Sequence, residues 1–265
     1  MPAEVREKAL EWGLAKDEYT DNENFPRQVY VREGRRIVGE YLFTAHDAIP
    51  VKAGERPPVH SDSITASHYP LDSHAVRKRE PGRVHLDGFF SMGNRPYTVP
   101  YGVIVPKRVE GLLTPVPVSG THVGFSTLRM EPCWMAMGQA AGEAASLAIE
   151  KDLLLRKVSV AELQQRLLKQ QGVLIYFEDA RAGDKHFEAL QFFAVRKFLP
   201  ATEWKAKLSE VVTEETAQNW MRWASVEKLE GFSAGKTTRG ELLEMLYEKV
   251  RGYSEEKMGA VKGEG

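Results

Sequence analysis

Two residues with chemical reach, His122 and Arg129, stand seven positions apart in the stretch LLTPVPVSGTHVGFSTLRMEPCWMAMGQAAGEAASL, residues 112–147. An imidazole titrates close to neutral pH, so His122 can hold or pass a proton while a hydride leaves a neighbouring carbon, or anchor a substrate. A guanidinium is a fixed positive charge, so Arg129 suits a group that becomes anionic. Each has a plainer reading: a hydrogen-bonded loop histidine, and an arginine paired with Glu131 or another carboxylate. Their neighbours add to the pattern. Ser119, Gly120 and Thr121 end an apolar run, and Met130, Glu131 and Pro132 open a helix rich in small residues. A helix N-terminus gathers unpaired N–H groups and partial positive charge. Strand, loop and small-residue helix together suit a flat cofactor that gains negative charge.

A second set lies upstream. Asp62-Ser63 and Asp72-Ser73-His74 offer acidic and hydroxyl groups suited to a polyhydroxylated ligand. Adjacent residues rarely converge into a Ser-His-Asp triad, and no nucleophile elbow is present. His46, His60, His68, His74 and His85 lie between residues 46 and 98. Their spacings are not those of a zinc helix motif, so no metal site is assigned, although His60, His68 and His74 leave that reading open. The single cysteine, Cys133, excludes an internal disulfide and a self-contained iron–sulfur or cysteine-based zinc site. Its place on an apolar helix points to inert packing.

The elements that must position these residues read as follows. Charged and apolar residues alternate at helical spacing over 3–14. Residues 25–44 carry the β-formers Val29, Val31, Ile37, Tyr41 and Phe43 around Glu33-Gly34, which predicts a hairpin or two strands of a larger sheet. Strands are expected at Val84–Phe90, Tyr97–Val105 and Leu112–Val118, the last demoted to an edge by Pro115 and Pro117. A polar loop then leads to Arg129. A helix is expected from Pro132 to Lys151, with proline in its first turn. Gly138 and Gly142 cost about 1 kcal/mol each there, so close packing of a backbone or a flat ligand should offset them. Further helices are expected at Val160–Gln170, after Ser159 as N-cap, and at His186–Phe198, Thr216–Leu229 and Thr238–Val250. Trp204, Trp220 and Trp223 read as core or as sugar-stacking rings. The fold class is α+β. A β-rich region and the strand–helix unit fill 1–175, a small all-α module fills 176–253, and 254–265 is expected to be a disordered tail.

Composition narrows the partners. Hydrophobic residues make up 42% and charged residues 28%, with a net charge of -1, which gives no footprint for nucleic acid or an anionic membrane. No run reaches the roughly 18 apolar residues of a membrane span. The polar N-terminus does not read as a signal peptide, and localisation is left open.

At Tyr97–Pro106 (YTVPYGVIVP), Leu112-Leu113, Ser119–His122, Arg129–Pro132 and Gly138–Gly142 the sequence resembles FAD-dependent oxidoreductases that border heterodisulfide-reductase A-like proteins. Some relatives carry a xanthan lyase label. Pro26–Thr44 with Asp47, Asp62-Ser63-Ile64 and Tyr69–His74 resemble the same family's middle region, so the likeness spans roughly residues 25–175. It implies that the closing strand and helix contact the isoalloxazine side of FAD, with Ser119, Gly120, Thr121, Met130, Glu131 and Pro132 at the cofactor. It also implies that a GxGxxG-bearing segment holds the ADP half. That fingerprint does not occur in these residues. Pro115-Val116-Pro117 also stands where the family carries Gly-Arg or Gly-Asp.

The expectation is therefore the C-terminal portion of a flavoenzyme. It would not hold FAD alone but would be completed by the nucleotide-binding segment or a partner chain. The reaction expected is hydride transfer from an alcohol- or amine-bearing carbon, with a carbohydrate-like substrate. Residues 176–253 resemble a degenerate S-layer-homology module through Phe177-Glu178-Asp179, His186-Phe187 and Thr238–Leu242. Two alternatives stay open: a non-catalytic glycan- or envelope-binding protein on the same scaffold, and a polysaccharide lyase relative. An exposed apolar patch is expected where the completing segment would pack.

Overall fold

The structure, a computed structural model, describes residues 2–28, 32–77, 80–82, 87–253 and 255–264. Contacts divide the chain into two units, Met1–Gly34 and Arg35–Gly265.

The first unit holds α1 (Ala3–Leu10) and a turn at Thr20–Asn22. No residue of α1 is buried. The helix stops at Leu10 instead of reaching Leu14; Trp12 is exposed and Gly13 is a poor helix former.

The second unit is α+β, with short strands and mostly helices. Strand β1 (Ser63–Ser67) pairs antiparallel with β4 (Tyr97–Pro100), and β2 (Leu71–Ser73) pairs antiparallel with β3 (Phe90–Met92). The hairpin expected over 25–44 is not present among the described residues, and Val29 and Val31 lie outside them. Residues 37–43 instead run extended against the distant segment 102–119. Ile37 N–H donates to Pro117 O (2.9 Å), Glu40 N–H to Val105 O (2.9 Å), Tyr41 N–H to Gly102 O (3.1 Å) and Phe43 N–H to Ser119 O (3.1 Å). Ile37, Tyr41 and Phe43 thus pair through their backbone as β-formers do, but the partner is non-local. The strand expected at Val84–Phe90 is reduced to β3, with Val84 and His85 outside the described residues. Tyr97–Val105 breaks after Pro100 into a helical turn at Tyr101–Val103. Leu112–Val118 forms no regular strand, because Pro115 and Pro117 bring no N–H to a ladder.

The loop expected at 122–129 is a helix, α2 (His122–Leu128). Thr121 caps it by accepting from Gly124 N–H (3.1 Å), and Phe125 and Leu128 bury in the core. Gly124 is needed: a Cβ there would lie 2.5 Å from Phe43 O. Helix α3 (Glu131–Lys151) follows as expected, with Pro132 in its first turn. It buries Cys133, Met137, Ala140, Ala144, Leu147 and Ala148, a helical stripe, facing β1 and α4 (Val160–Lys169). Ser159 occupies the N-cap of α4 but makes no side-chain cap hydrogen bond.

Helices α5 (Phe187–Ala194), α6 (Glu214–Trp223) and α7 (Arg239–Val250) surround an aromatic core of Phe192, Phe193, Phe198, Trp220 and Tyr247. Each such ring contributes about 1.5–3 kcal/mol by leaving water. The expected boundary at residue 175 is crossed by buried polar bonds. Gln191 Oε1 accepts from Leu174 N–H (2.7 Å) and Ile175 N–H (2.9 Å), and its Nε2 donates to Ile175 O (2.8 Å). Arg196 donates to Gln164 Oε1 (2.9 Å), and Gln164 Nε2 donates to Ser63 O (2.9 Å). In place of a disordered tail, α8 (Glu255–Gly259) packs back. Met258 and Val261 are buried, and Gly263 N–H donates to Arg196 O (2.7 Å). Among the described residues no helix is long and apolar enough to cross a membrane.

Candidate functional site

Four of the residues singled out in the sequence meet where α2 lies on β2. Arg129, the C-cap of α2, is 4% exposed and donates through Nη2 to Asp72 Oδ2 (3.0 Å) and Asp72 O (3.2 Å). The carboxylate partner is thus Asp72 rather than Glu131. Asp72 N–H donates to Ser126 Oγ (3.0 Å), and Thr127 Oγ1 donates to Tyr69 O. Tyr97 OH donates to Thr127 O (2.9 Å), which ties the helix to β4. At the other end of α2, His122 Nε2 sits 2.8 Å from His74 O and 3.1 Å from Gly88 O. Carbonyl oxygens only accept, so Nε2 carries the hydrogen and the ring is held in that tautomer. His122 and Arg129 therefore stand two helical turns apart, roughly 10 Å along the axis.

Ser119, Gly120 and Thr121 run beside Phe43. Thr121 N–H donates to Phe43 O (2.9 Å), and Gly120 O accepts from Arg36 Nε (3.0 Å). Ser119 is fully buried, and its Oγ has no hydrogen-bond partner. Met130 is the N-cap of α3 and gives it no side-chain hydrogen bond; Glu131 and Pro132 are exposed. The N-terminus of the longest helix is therefore uncapped by side chains. Tight packing does not explain Gly138 and Gly142: a Cβ at either would meet nothing within 4 Å. Glu131, Gly138, Gly142 and Ile149 share one face by helical spacing. Met135 is 74% and Ile149 81% exposed on that side of the helix.

Asp62 and Ser63 lie apart from this corner. Ser63 is fully buried and donates through Oγ to Leu174 O (2.8 Å). Burial raises the Asp62 carboxyl, and His60 opposes that rise. They border a cluster the sequence did not disclose. Tyr41 OH donates to Asp47 Oδ1 (2.5 Å), and His60 Nε2 lies 3.1 Å from the same oxygen. Thr44 donates to Asp47 Oδ2 through N–H (2.7 Å) and Oγ1 (2.9 Å). Burial alone would raise the Asp47 carboxyl, but hydrogen bonds from His60, Tyr41 and Thr44 outweigh it and bring it down to about 2. Burial and the neighbouring Asp47 push the Tyr41 phenol upward. The only signal in the sequence was Thr44-x-x-Asp47, a capping-box spacing.

His68 Nε2 meets Asn94 O (3.2 Å) and His60 Nε2 lies 3.1 Å from Asp47 Oδ1, so these two rings serve separate contacts. Among the described residues no group of three or more histidine, cysteine, aspartate or glutamate side chains is arranged to hold a metal ion. Burial pushes the Cys133 thiol up to about 11, which makes it a poor nucleophile near neutral pH.

These residues fit one side of a flat, charge-gaining cofactor. The uncapped start of α3 offers donors and positive potential, and the Gly138–Gly142 face leaves room for a ring. They provide no glycine-rich cradle for a pyrophosphate. Residues 2–167 match the model of a family described as FAD dependent oxidoreductase. No curated protein and no solved structure matches the chain.

Proposed function

The chain belongs to the FAD dependent oxidoreductase family, and from that premise we propose that its α2–α3 corner supplies the ring-facing side of a flavin site. FAD, when bound, would accept a hydride from an alcohol- or amine-bearing carbon of the substrate. Backbone donors around Met130 and Glu131 would hold the edge that gains negative charge. Thr121 and Pro132 would border the cofactor, while Ser119 and Gly120, expected there too, are buried behind them. Arg129 acts as a positioning residue: it pins Asp72, whose side chain is one-third exposed beside β2. Asp72 and His74 would receive a polyhydroxylated, carbohydrate-like substrate. His122, oriented through its Nε2–H, would hold or pass a proton at its ring.

The observation that carries this reading is the uncapped N-terminus of α3 beside its uncovered glycine face. A helix that spends about 1 kcal/mol on each of two interior glycines, with nothing among the described residues within 4 Å of where their Cβ atoms would lie, suits something flat. The pyrophosphate would be bound by a glycine-rich segment outside these residues or by a partner chain. The finer likeness, to heterodisulfide-reductase A-like relatives and to an S-layer-homology module over 176–253, belongs to the same proposal. The Thr238–Glu241 capping box that opens α7 supports the module. The glycan-binding alternative has less support, because Trp220 is buried and the Trp204 ring already carries Arg56 (4.3 Å) and Arg95 (4.1 Å).

Visible absorption after desalting from excess FAD tests the proposal. Flavin bands are expected when the nucleotide-binding segment is supplied and not with this chain alone. A complete, folded protein that purifies without flavin and retains none would end the proposal.

A further inference from the structure

Away from the α2–α3 corner, a cavity of ≈ 210 Å³ lies between residues 51–59 and residues 175–201. Its walls are mostly apolar, with Val59, Ile175, Phe177 and Leu199 among them. Arg56 and Lys197 are its cations.

Arg56 is 6% exposed. Its Nε and Nη2 both donate to Glu203 O (3.2 and 3.0 Å), and its guanidinium lies over the Phe177 ring (4.5 Å) and the Trp204 ring (4.3 Å). None of these partners carries a negative charge. Of the nearby carboxylates, Glu203 pairs with Arg239 (2.6 Å) and Glu178 with Arg95 (3.5 Å), while Glu55 lines the cavity itself and pairs with Lys52 (3.7 Å). Among the described residues neither Arg56 nor Lys197 forms an ion pair. A buried guanidinium without an anion is costly, and burial together with Arg95 brings its pKa down to about 10.

We propose that this cavity binds a small organic carboxylate with an apolar body, its carboxylate on Arg56 and Lys197 and its body against Phe177, Ile175 and Leu199. Size limits the body. A cavity of about 150 Å³ accommodates benzene, so ≈ 210 Å³ suits one ring with a short acidic arm. Glu203 O occupies the Nε–Nη2 edge of Arg56, so the carboxylate would meet its Nη1, and the fixed stacking leaves little rotamer freedom to lose on binding. The site does not depend on the flavin reading and is tested without flavin.

The probe is phenylacetate, set against its neutral isostere phenylacetamide. Both are titrated calorimetrically into the full chain, and the Trp204 indole N–H resonance, which reports from beside Arg56, is followed by NMR. The acid should bind saturably and shift that resonance, and the amide should bind at least about tenfold more weakly. Arg56→Gln should abolish the preference for the acid. Lys197→Met, at a half-buried position, should weaken the acid about threefold and leave the amide unchanged. If Arg56→Gln does not fold, the acid-over-amide preference and its roughly threefold reduction in Lys197→Met decide the question. Equal affinity for acid and amide, or no saturable binding of the acid, overturns the proposal.

Discussion

Asp47 and Asp72 each hold a cation-capable side chain, yet the two regions are built to opposite ends. The Asp47 side chain is 8% exposed, takes hydrogen bonds from Tyr41 and both donors of Thr44, and has His60 Nε2 at 3.1 Å. Every acceptor site is filled, so the carboxylate gains nothing from meeting another molecule. The Asp72 side chain is 32% exposed, while its partner Arg129 is 3% exposed. There the cation is locked and the anion remains reachable. A fully satisfied carboxylate is a strut. A half-open one, held in place by a buried arginine, stays within reach of solvent and solutes.

Substitutions can sharpen or break that contrast. Asp47→Ala should have the largest effect, a loss of about 3 kcal/mol in chemical denaturation, because it strands several buried donors at once. A loss below about 1 kcal/mol would mean the cluster is not a strut.

Acid should act on the same group. The folded Asp47 carboxyl lies at about 2, below its ordinary value of 3.8. The unfolded chain therefore binds the proton more tightly, and stability falls as pH drops from about 4 toward 2. The contribution lost is about 2 kcal/mol. Asp47→Asn should flatten that acid limb in pH-dependent melts.

Asp72→Ala should cost less than Asp47→Ala, about 1–2 kcal/mol, since water can reach part of the space it leaves. It should weaken substrate or flavin interactions of the completed enzyme, an effect Asp47→Asn should not share. If both variants change ligand binding equally, the contrast between strut and exchange surface fails.

The smallest change comes on the open face. Gly142→Ala should raise stability by about 1 kcal/mol, because the new methyl meets nothing within 4 Å. Gly142→Leu should fold equally well but block flavin retention. A destabilised Gly142→Ala would mean that the face is covered.

Legibility followed the reach of the interactions. Helix α3 and the capped start of α7 could be read because Pro132 and the Thr238–Glu241 box are local signals. The types of His122, Arg129, Asp72 and His74 were visible, but their meeting was not. It depends on α2, a two-turn helix whose Gly124, Ser126 and Thr127 disguise it as a loop. Those residues are there for tertiary reasons: Gly124 clears Phe43, and Ser126 and Thr127 bond to the segment around β2. The Asp47 cluster joins residues from an irregular stretch with no periodicity to betray it. The expected hairpin failed because extended chain records a preference for pairing without naming the partner.

The side chain of Gln191 gives Leu174 and Ile175 the bonding a neighbouring strand would offer, two acceptances and one donation from a single amide. A truncation after residue 175 would therefore not yield a tidy enzyme half. It would leave two main-chain donors and one acceptor bare at the new end, inside what had been dry core. Anyone trimming this protein for expression should keep the helices beyond that point, because the catalytic-looking half borrows part of its backbone satisfaction from them.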